Sequence, residues 1–245
     1  MTETNFYQLL QLDKEQQQST LAEVNKQLQA MTAQQRIKWA LKYLPGSHIL
    51  SSSFGVQSAL MLHLINEQQP DMPVVLTDTG YLFSETYQFI EQMRERFKLN
   101  LKVYRSDYSS AWQEAKYGKL WEQGLEGIDT YNRINKVEPM QRALQELKVK
   151  TWFSGLRAEQ SDSRKDLPIL AIRSGVYKFL PIIDWSTKQV RDTMFEYDLP
   201  YNPLYDKGYV SIGDTHTSRP LSEGEKAQDT RFLGLKRECG LHWDI

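Results

Sequence analysis

Short apolar runs recur along this chain, and each ends in a polar turn that leads into residues of helical spacing. Ile49 and Leu50 run into Ser51-Ser52-Ser53-Phe54-Gly55, after which Ser58 to Leu64 carries apolar residues at helical intervals. Val74, Val75 and Leu76 end in Thr77-Asp78-Thr79-Gly80-Tyr81, ahead of a helix from about Ser84 to Phe97 with Phe89, Ile90, Met93 and Phe97 on one face. Leu101 to Tyr104 supplies a third strand, and Trp152 with Phe153 leads a fourth into Ser154-Gly155-Leu156-Arg157. Strands that alternate with helices build a parallel sheet, whose right-handed crossovers place ligands at the carboxyl ends of the strands. The expected fold class is therefore α/β, a parallel twisted sheet flanked by helices.

The serine loop has a specific chemical capacity. The first N–H groups of the helix after it have no intrahelical partner and carry the positive end of the dipole, so an anion settles there. Gly55 lets the backbone approach a ligand closely, and the hydroxyls of Ser51, Ser52, Ser53 and Ser58 add donors without bulk. Asp78-Thr79-Gly80 suits an ordinary strand-to-helix turn, and its place on the same rim recommends it as a second binding segment. Lys136 stands just before the expected start of a helix at Pro139, where a cation opposes the dipole, so a bound anion is a reason for it to be there. Arg157 and Arg164, which follow the fourth strand, have planar forks that fit phosphate oxygens.

The remaining segments are read as scaffold. Thr20 with Glu23 and Thr32 with Gln35 have capping-box spacing, so residues 1–45 form N-terminal helices packing on the core or on a partner subunit. Pro45 and Gly46 end the second of them. Residues 46–210 make the main α/β domain, with Ala171 to Lys178 as two short strands about a Ser-Gly turn and a helix from about Thr187 to Tyr197. The aromatic-rich stretch around Tyr108, Trp112, Tyr117, Trp121 and Tyr131 is assigned to packing.

Thirty Lys and Arg against thirty-one Asp and Glu leave a formal charge of −1 over 245 residues, with no global bias toward nucleic acid or a membrane surface. Met1 to Thr20 lacks the basic start and apolar centre of a signal peptide, and a cytoplasmic location is expected. The single cysteine excludes an internal disulfide, a cysteine-rich zinc site and a cluster held by several thiolates of one chain. That cysteine, Cys239, lies in residues 211–245, which carry little periodic apolar content and read as a mobile C-terminal tail. Lys236 and Arg237 precede it and His242 follows; neighbouring cations lower a thiol pKa and enrich the nucleophilic thiolate.

Taken in order, these motifs resemble one family, the assimilatory phosphoadenylyl-sulfate (PAPS) reductases. The resemblance is carried by Ser51-Ser52-Ser53-Phe54-Gly55, Thr77-Asp78-Thr79-Gly80-Tyr81, Lys136-Val137-Glu138-Pro139, Gly155-Leu156-Arg157 with Glu159-Gln160-Ser161, Gly213-Asp214-Thr215-His216-Thr217 and Glu238-Cys239-Gly240-Leu241-His242. It implies a fold like that of the adenine nucleotide α-hydrolases and reduction of 3′-phosphoadenylyl sulfate to sulfite in sulfate assimilation. Cys239 is then the catalytic nucleophile, forming an S-sulfocysteine, and thioredoxin is the electron donor, with glutaredoxin as an alternative and a homodimer as the expected assembly. The residues implied at the substrate are Ser52, Ser53, Phe54, Gly55, Gln57, Ser58, Asp78, Thr79, Gly80, Lys136, Arg157, Arg164, Arg231, Arg237 and His242, with no metal.

Two departures from related patterns narrow this further. Gln57 stands where the loop of ATP pyrophosphatases has an acidic residue, which weakens a magnesium-pyrophosphate site and leaves an anion cradle. The cluster-bearing branch that uses adenylyl sulfate has cysteines at positions aligned with Tyr131, Asn132, Asp214 and Thr217, and none of these supplies a thiolate. The resemblance therefore implies no iron–sulfur cluster and a 3′-phosphorylated substrate, without saying which residues hold the extra phosphate.

Overall fold

The structure, a computed structural model, describes residues 5–225, 227–234 and 240. Its centre is a six-stranded sheet made of β1 (His48–Ser51), β2 (Pro73–Thr77), β3 (Asn100–Tyr104), β4 (Thr151–Ser154), β5 (Leu170–Arg173) and β6 (Val176–Phe179), in the order β3-β2-β1-β4-β6-β5. Every neighbouring pair is parallel except the β5–β6 hairpin, which turns at Ser174 and Gly175. The expected α/β class and the four parallel strands are as the residue pattern indicates.

Both faces of the sheet are covered, which is why its strands are apolar runs rather than alternations. Leu50, Val74, Leu76, Phe153 and Phe179 pack on one side with the N-terminal helices α1 (Phe6–Leu9), α2 (Lys14–Gln29) and α3 (Ala33–Tyr43) and with α4 (Ser58–Asn66), α5 (Ser84–Phe97) and α9 (Thr187–Glu196). Ile49, Val75, Trp152 and Val176, one residue out of phase, face α8 (Glu138–Glu146) on the other. Residues 6–43 thus pack on the core of their own chain. The cap at Thr32 has both of its reciprocal bonds with Gln35. The one read at Thr20 does not exist, because α2 already begins behind Asp13, whose carboxylate accepts from the Gln16 N–H, and Thr20 lies within the helix.

Between β3 and β4 the chain forms α6 (Ser110–Tyr117) and α7 (Gly124–Asn132), which continues through a π turn at Arg133–Val137 into α8. Lys136 is therefore inside a wide helical turn and not ahead of a helix start. Pro139 lacks an N–H, and the wider turn absorbs the missing bond: the Glu138 N–H reaches back to the Arg133 carbonyl. Widening the helix by one residue pushes Lys136 inward, where it is 8% exposed.

The structure also differs from the expected tail over its first half. Asp214, Thr217, Thr230 and Phe232 are buried, and bridges pair Leu82 with Asp214 and Ser218 with Arg231. Polar contacts, invisible to a search for apolar periodicity, hold this segment on the sheet's rim. Cys239, Arg237 and His242 lie outside the described residues. Among the described residues no helix is long and apolar enough to cross a membrane.

Candidate active site

At the carboxyl ends of β1, β2 and β4 a cavity of about 530 Å³ opens. Ser52, Ser53, Gly55, Gln57, Ser58, Thr79, Lys136, Arg157, Arg164 and Arg231 all line it, so ten of the residues singled out from the sequence are brought together. They come from five separate segments, which a parallel sheet with its crossovers collects on one rim.

Three of the singled-out residues do not line the cavity. Phe54 is fully buried with φ +49°; its carbonyl accepts from Asn202 Nδ2 at 3.0 Å and its N–H donates to Ser52 Oγ, so it anchors the serine loop from beneath. Asp78 is also buried, and its carboxylate accepts from the Gly80 N–H, the Tyr87 hydroxyl and Arg105 Nε. Gly80, at φ +76°, has no room for a side chain, since a Cβ would lie 2.3 Å from Ser110 Oγ. These two form the turn after β2, and Thr79 alone reaches the site.

Gln57 begins α4 without capping it, and the Ser58 hydroxyl is buried with no hydrogen-bond partner among the described residues. Arg157, 5% exposed, donates from Nη2 to Gln57 Oε1 at 3.0 Å and from Nη1 to Thr187 Oγ1 at 3.3 Å. Glu159 Oε2 stands 3.6 Å from it. Gln160 Oε1 accepts from both the Arg157 N–H and Arg164 Nη1, at 3.2 and 2.7 Å. Burial lowers the pKa of Arg157, and the nearby Arg164 charge lowers it further against the pull of Glu159.

On the β2 side, Lys136 Nζ donates to Asp214 Oδ2 at 2.7 Å, and Thr79 Oγ1 donates to Asp214 Oδ1 at 2.5 Å. Burial alone would push the Asp214 carboxyl up, but Lys136, then Thr79 and the Arg231 charge, hold it well below the usual carboxylate range. Arg231 donates to the Ile212 carbonyl at 3.0 Å and passes over Gly213, where a Cβ would meet its guanidinium at 2.1 Å. Phe232 places its ring 5.2 Å from Lys136 Nζ.

Asp214 belongs to the site, although the motif Gly213-Asp214-Thr215-His216-Thr217 does not by itself single it out. Nothing in a short polar segment reveals that its carboxylate is completely buried against a lysine far away in the chain. The signal in the sequence is Lys136 itself, a cation at an expected helix start, where the dipole disfavours it.

Beside this pair, His216 stacks on Trp121 with ring centroids 3.7 Å apart and lies edge-on to Tyr81 and Tyr131. Burial lowers its pKa from 6.5 to about 4, Asp214 opposing and Lys136 adding to the shift. Its folded value lies below its unfolded one, so the unfolded chain binds more protons between pH 6.5 and 4 and stability falls as the pH drops through that window. His48 and His63 shift the same way. Urea unfolding at pH 7 and pH 4.5 is therefore expected to show a smaller loss of stability for His216→Phe than for the wild type; equal losses would contradict the neutral, buried imidazole.

Among the described lining residues four cations face two carboxylates, Glu159 and Asp214, so the cavity has an excess of positive charge. Among the described residues no group of three or more His, Cys, Asp or Glu side chains is placed to hold a metal ion. The excess of positive charge among the described lining residues suits an anionic ligand.

Comparison with known proteins agrees with that chemistry. Residues 47–220 match the model of the phosphoadenosine phosphosulfate reductase domain. A phosphoadenosine 5′-phosphosulfate reductase of Pectobacterium carotovorum is 61% identical over 242 residues, covering 99% of both chains, and one of Shewanella oneidensis is 58% identical over 245 residues, covering 100% of both. The crystal structure of the PAPS reductase of Candida auris in a phosphate complex superposes with a TM-score of 0.73 at 30% identity, covering 85% of this chain and 98% of that one. The FMN adenylyltransferase of Candida glabrata in complex with ATP, at 17% identity and a TM-score of 0.58, shares the fold. With its cation-rich cavity at the strand ends, the chain belongs to the phosphoadenosine phosphosulfate reductase family and is an oxidoreductase.

Proposed function

We propose that this enzyme reduces 3′-phosphoadenylyl sulfate to sulfite and adenosine 3′,5′-bisphosphate, with Cys239 as nucleophile and thioredoxin as reductant, in the assimilation of sulfate. The observation that carries this reading is the gathering of Lys136, Arg157, Arg164 and Arg231, each less than 10% exposed, around one cavity at the strand ends. Buried guanidinium and ammonium groups that converge on one cavity favour an anionic ligand there.

The Cys239 thiolate attacks the sulfuryl sulfur; a sulfur–sulfur bond forms, the bridging sulfur–oxygen bond breaks, and its electron pair leaves on the nucleotide phosphate. A thioredoxin thiolate then attacks the Cys239 sulfur, and sulfite departs with the electron pair of the sulfur–sulfur bond. The second thioredoxin thiol resolves the mixed disulfide and returns Cys239 as a thiolate. The chain has no second cysteine to perform this step, so the reductant comes from a partner dithiol, thioredoxin or glutaredoxin.

A thiolate approaching an anionic sulfuryl group meets a repulsion of about 4 kcal/mol for unit charges 4 Å apart at an effective dielectric of 20. Lys136, Arg157 and Arg231, with Arg237, offset it and stabilise charge building on the leaving phosphate. The serine loop receives phosphate oxygens, and His242 hydrogen-bonds the sulfuryl group or the thiolate. A homodimer in the cytoplasm completes the reading. It is tested by supplying 3′-phosphoadenylyl sulfate with reduced thioredoxin: sulfite and adenosine 3′,5′-bisphosphate are expected in equal amounts. Nucleotide cleavage that yields sulfate in place of sulfite would overturn it.

A further inference from the structure

Among the described residues the N-terminal helices line no part of the cavity, yet one of their side chains is tied to the segment that holds Arg157. Arg36 shares the buried face of α3 with Ala33, Ile37 and Ala40, and it is 2% exposed. Its Nε donates to the Leu28 carbonyl at 2.8 Å and its Nη2 to the Gln29 carbonyl at 3.4 Å. Both acceptors lie in the last turn of α2, where the helix dipole favours a cation. The remaining donors cross to a segment 145 residues further along the chain. Nη1 reaches the Pro181 carbonyl at 2.9 Å, and Nη1 and Nη2 grip the Asp184 carboxylate at 2.6 and 2.7 Å. Each of the five guanidinium N–H groups therefore has an acceptor.

Residues 181–187 lead into α9, and they hold Arg157 in turn. The Ile183 carbonyl accepts from the Ala158 N–H at 2.8 Å. The Trp185 carbonyl and Thr187 Oγ1 accept from Arg157 Nη1 at 3.4 and 3.3 Å. The Thr187 hydroxyl donates its proton to Glu159 Oε2 at 2.9 Å, which leaves its lone pairs for the guanidinium. Arg157 is buried, so these acceptors rather than bulk water set the direction of its charge.

We infer that Arg36 and Asp184 are positioning residues for Arg157, acting through residues 181–187, so that the N-terminal helices fix the aim of a cation in the cavity. The inference rests on the proposed reaction, in which Arg157 offsets the repulsion between thiolate and sulfuryl group. A displacement of about 1 Å in such a group, caused far from the chemistry, can cost about a hundredfold in rate. Lysine cannot take the place of Arg36, because one ammonium cannot reach two helix-end carbonyls, the Pro181 carbonyl and both oxygens of Asp184 in fixed geometry.

The test is a double-mutant cycle read in kcat/KM for sulfite formation, with calorimetric binding of adenosine 3′,5′-bisphosphate and urea unfolding beside it. Asp184→Asn removes one arm of the fork at a side chain that is 52% exposed. Thr187→Val removes an acceptor of Arg157 and leaves Arg36 untouched. Each is expected to lower kcat/KM by about tenfold, the usual weight of a charge-assisted hydrogen bond. Asp184→Glu, which keeps a carboxylate for Arg36, should recover part of that loss. In an Arg157→Lys background Asp184→Asn and Thr187→Val should each cost less than about twofold more, because the group they position is gone. Binding of the bisphosphate should follow the same pattern.

Wild-type kcat/KM in both Asp184→Asn and Thr187→Val would overturn the inference and leave the proposed reaction standing. Losses that multiply with that of Arg157→Lys would also overturn it, by showing that the clamp acts through general stability and not through Arg157. A wild type that binds the bisphosphate without forming sulfite would overturn the proposed reaction alone, and losses that multiply in the binding cycle would then overturn the inference as well.

Discussion

Serine in place of Cys239 is expected to lower kcat/KM for sulfite release by at least about ten-thousandfold while adenosine 3′,5′-bisphosphate still binds within a few-fold of wild type. The loss is this large because both half-reactions pass through the same sulfur. A serine hydroxyl is not ionised near neutral pH, and a serine sulfate ester has no sulfur–sulfur bond for thioredoxin to cleave with release of sulfite. A sulfite assay beside a binding titration separates the chemical defect from a folding defect. Retention of more than a tenth of the activity in Cys239→Ser would remove the nucleophile from the mechanism.

Removing Asp214 is expected to have the largest effect on stability, about 3 to 5 kcal/mol by urea unfolding of Asp214→Ala, the usual result of leaving one half of a buried ion pair. Lys136 would lose its carboxylate, and Thr79 its acceptor. The double variant Lys136→Met, Asp214→Leu should regain much of that stability, because two apolar side chains leave no buried charge, yet it should form sulfite far more slowly, having lost a cation at the sulfuryl group. The sign with pH follows from the lowered carboxyl pKa. Asp214 contributes fully above the unfolded value of about 3.9, and its contribution fades as the pH falls through the lower folded value. The difference between wild type and Asp214→Ala should therefore shrink in strong acid. A difference under about 1 kcal/mol at pH 7 would mean that the pair is screened as a surface salt bridge is.

The parts of the fold that could be read from the residues are those governed by local periodicity. Ile49-Leu50, Val74 to Leu76 and Trp152-Phe153 are strands because helices cover both faces of the sheet, and that produces unbroken apolar runs. The turns after them bring most of the candidate residues to one rim. The departures at Phe54, Lys136 and residues 211–225 share a cause, in that each rests on a contact distant in sequence. Phe54 belongs by sequence to the serine loop, yet its side chain enters the core beneath that loop. Pro139 commonly starts a helix, which would leave Lys136 outside one, whereas the π turn and the distant Asp214 give it a buried place. Asp78 and Thr79 are adjacent, yet one is spent on its own turn and the other reaches the Asp214 carboxylate. Residues 211–225, part of the tail expected over 211–245, give no periodic apolar signal because hydrogen bonds and one buried carboxylate hold Asp214 and Thr217 in place.

The most direct measurement is the intact mass of reduced protein mixed with 3′-phosphoadenylyl sulfate in the absence of thioredoxin, beside Cys239→Ser treated in the same way. A gain of about 80 Da, one sulfite equivalent, is expected on the wild type alone, and reduced thioredoxin should remove it with release of sulfite. Bound nucleotide with no added mass on the wild type, or the same gain on Cys239→Ser, would contradict a sulfocysteine at position 239.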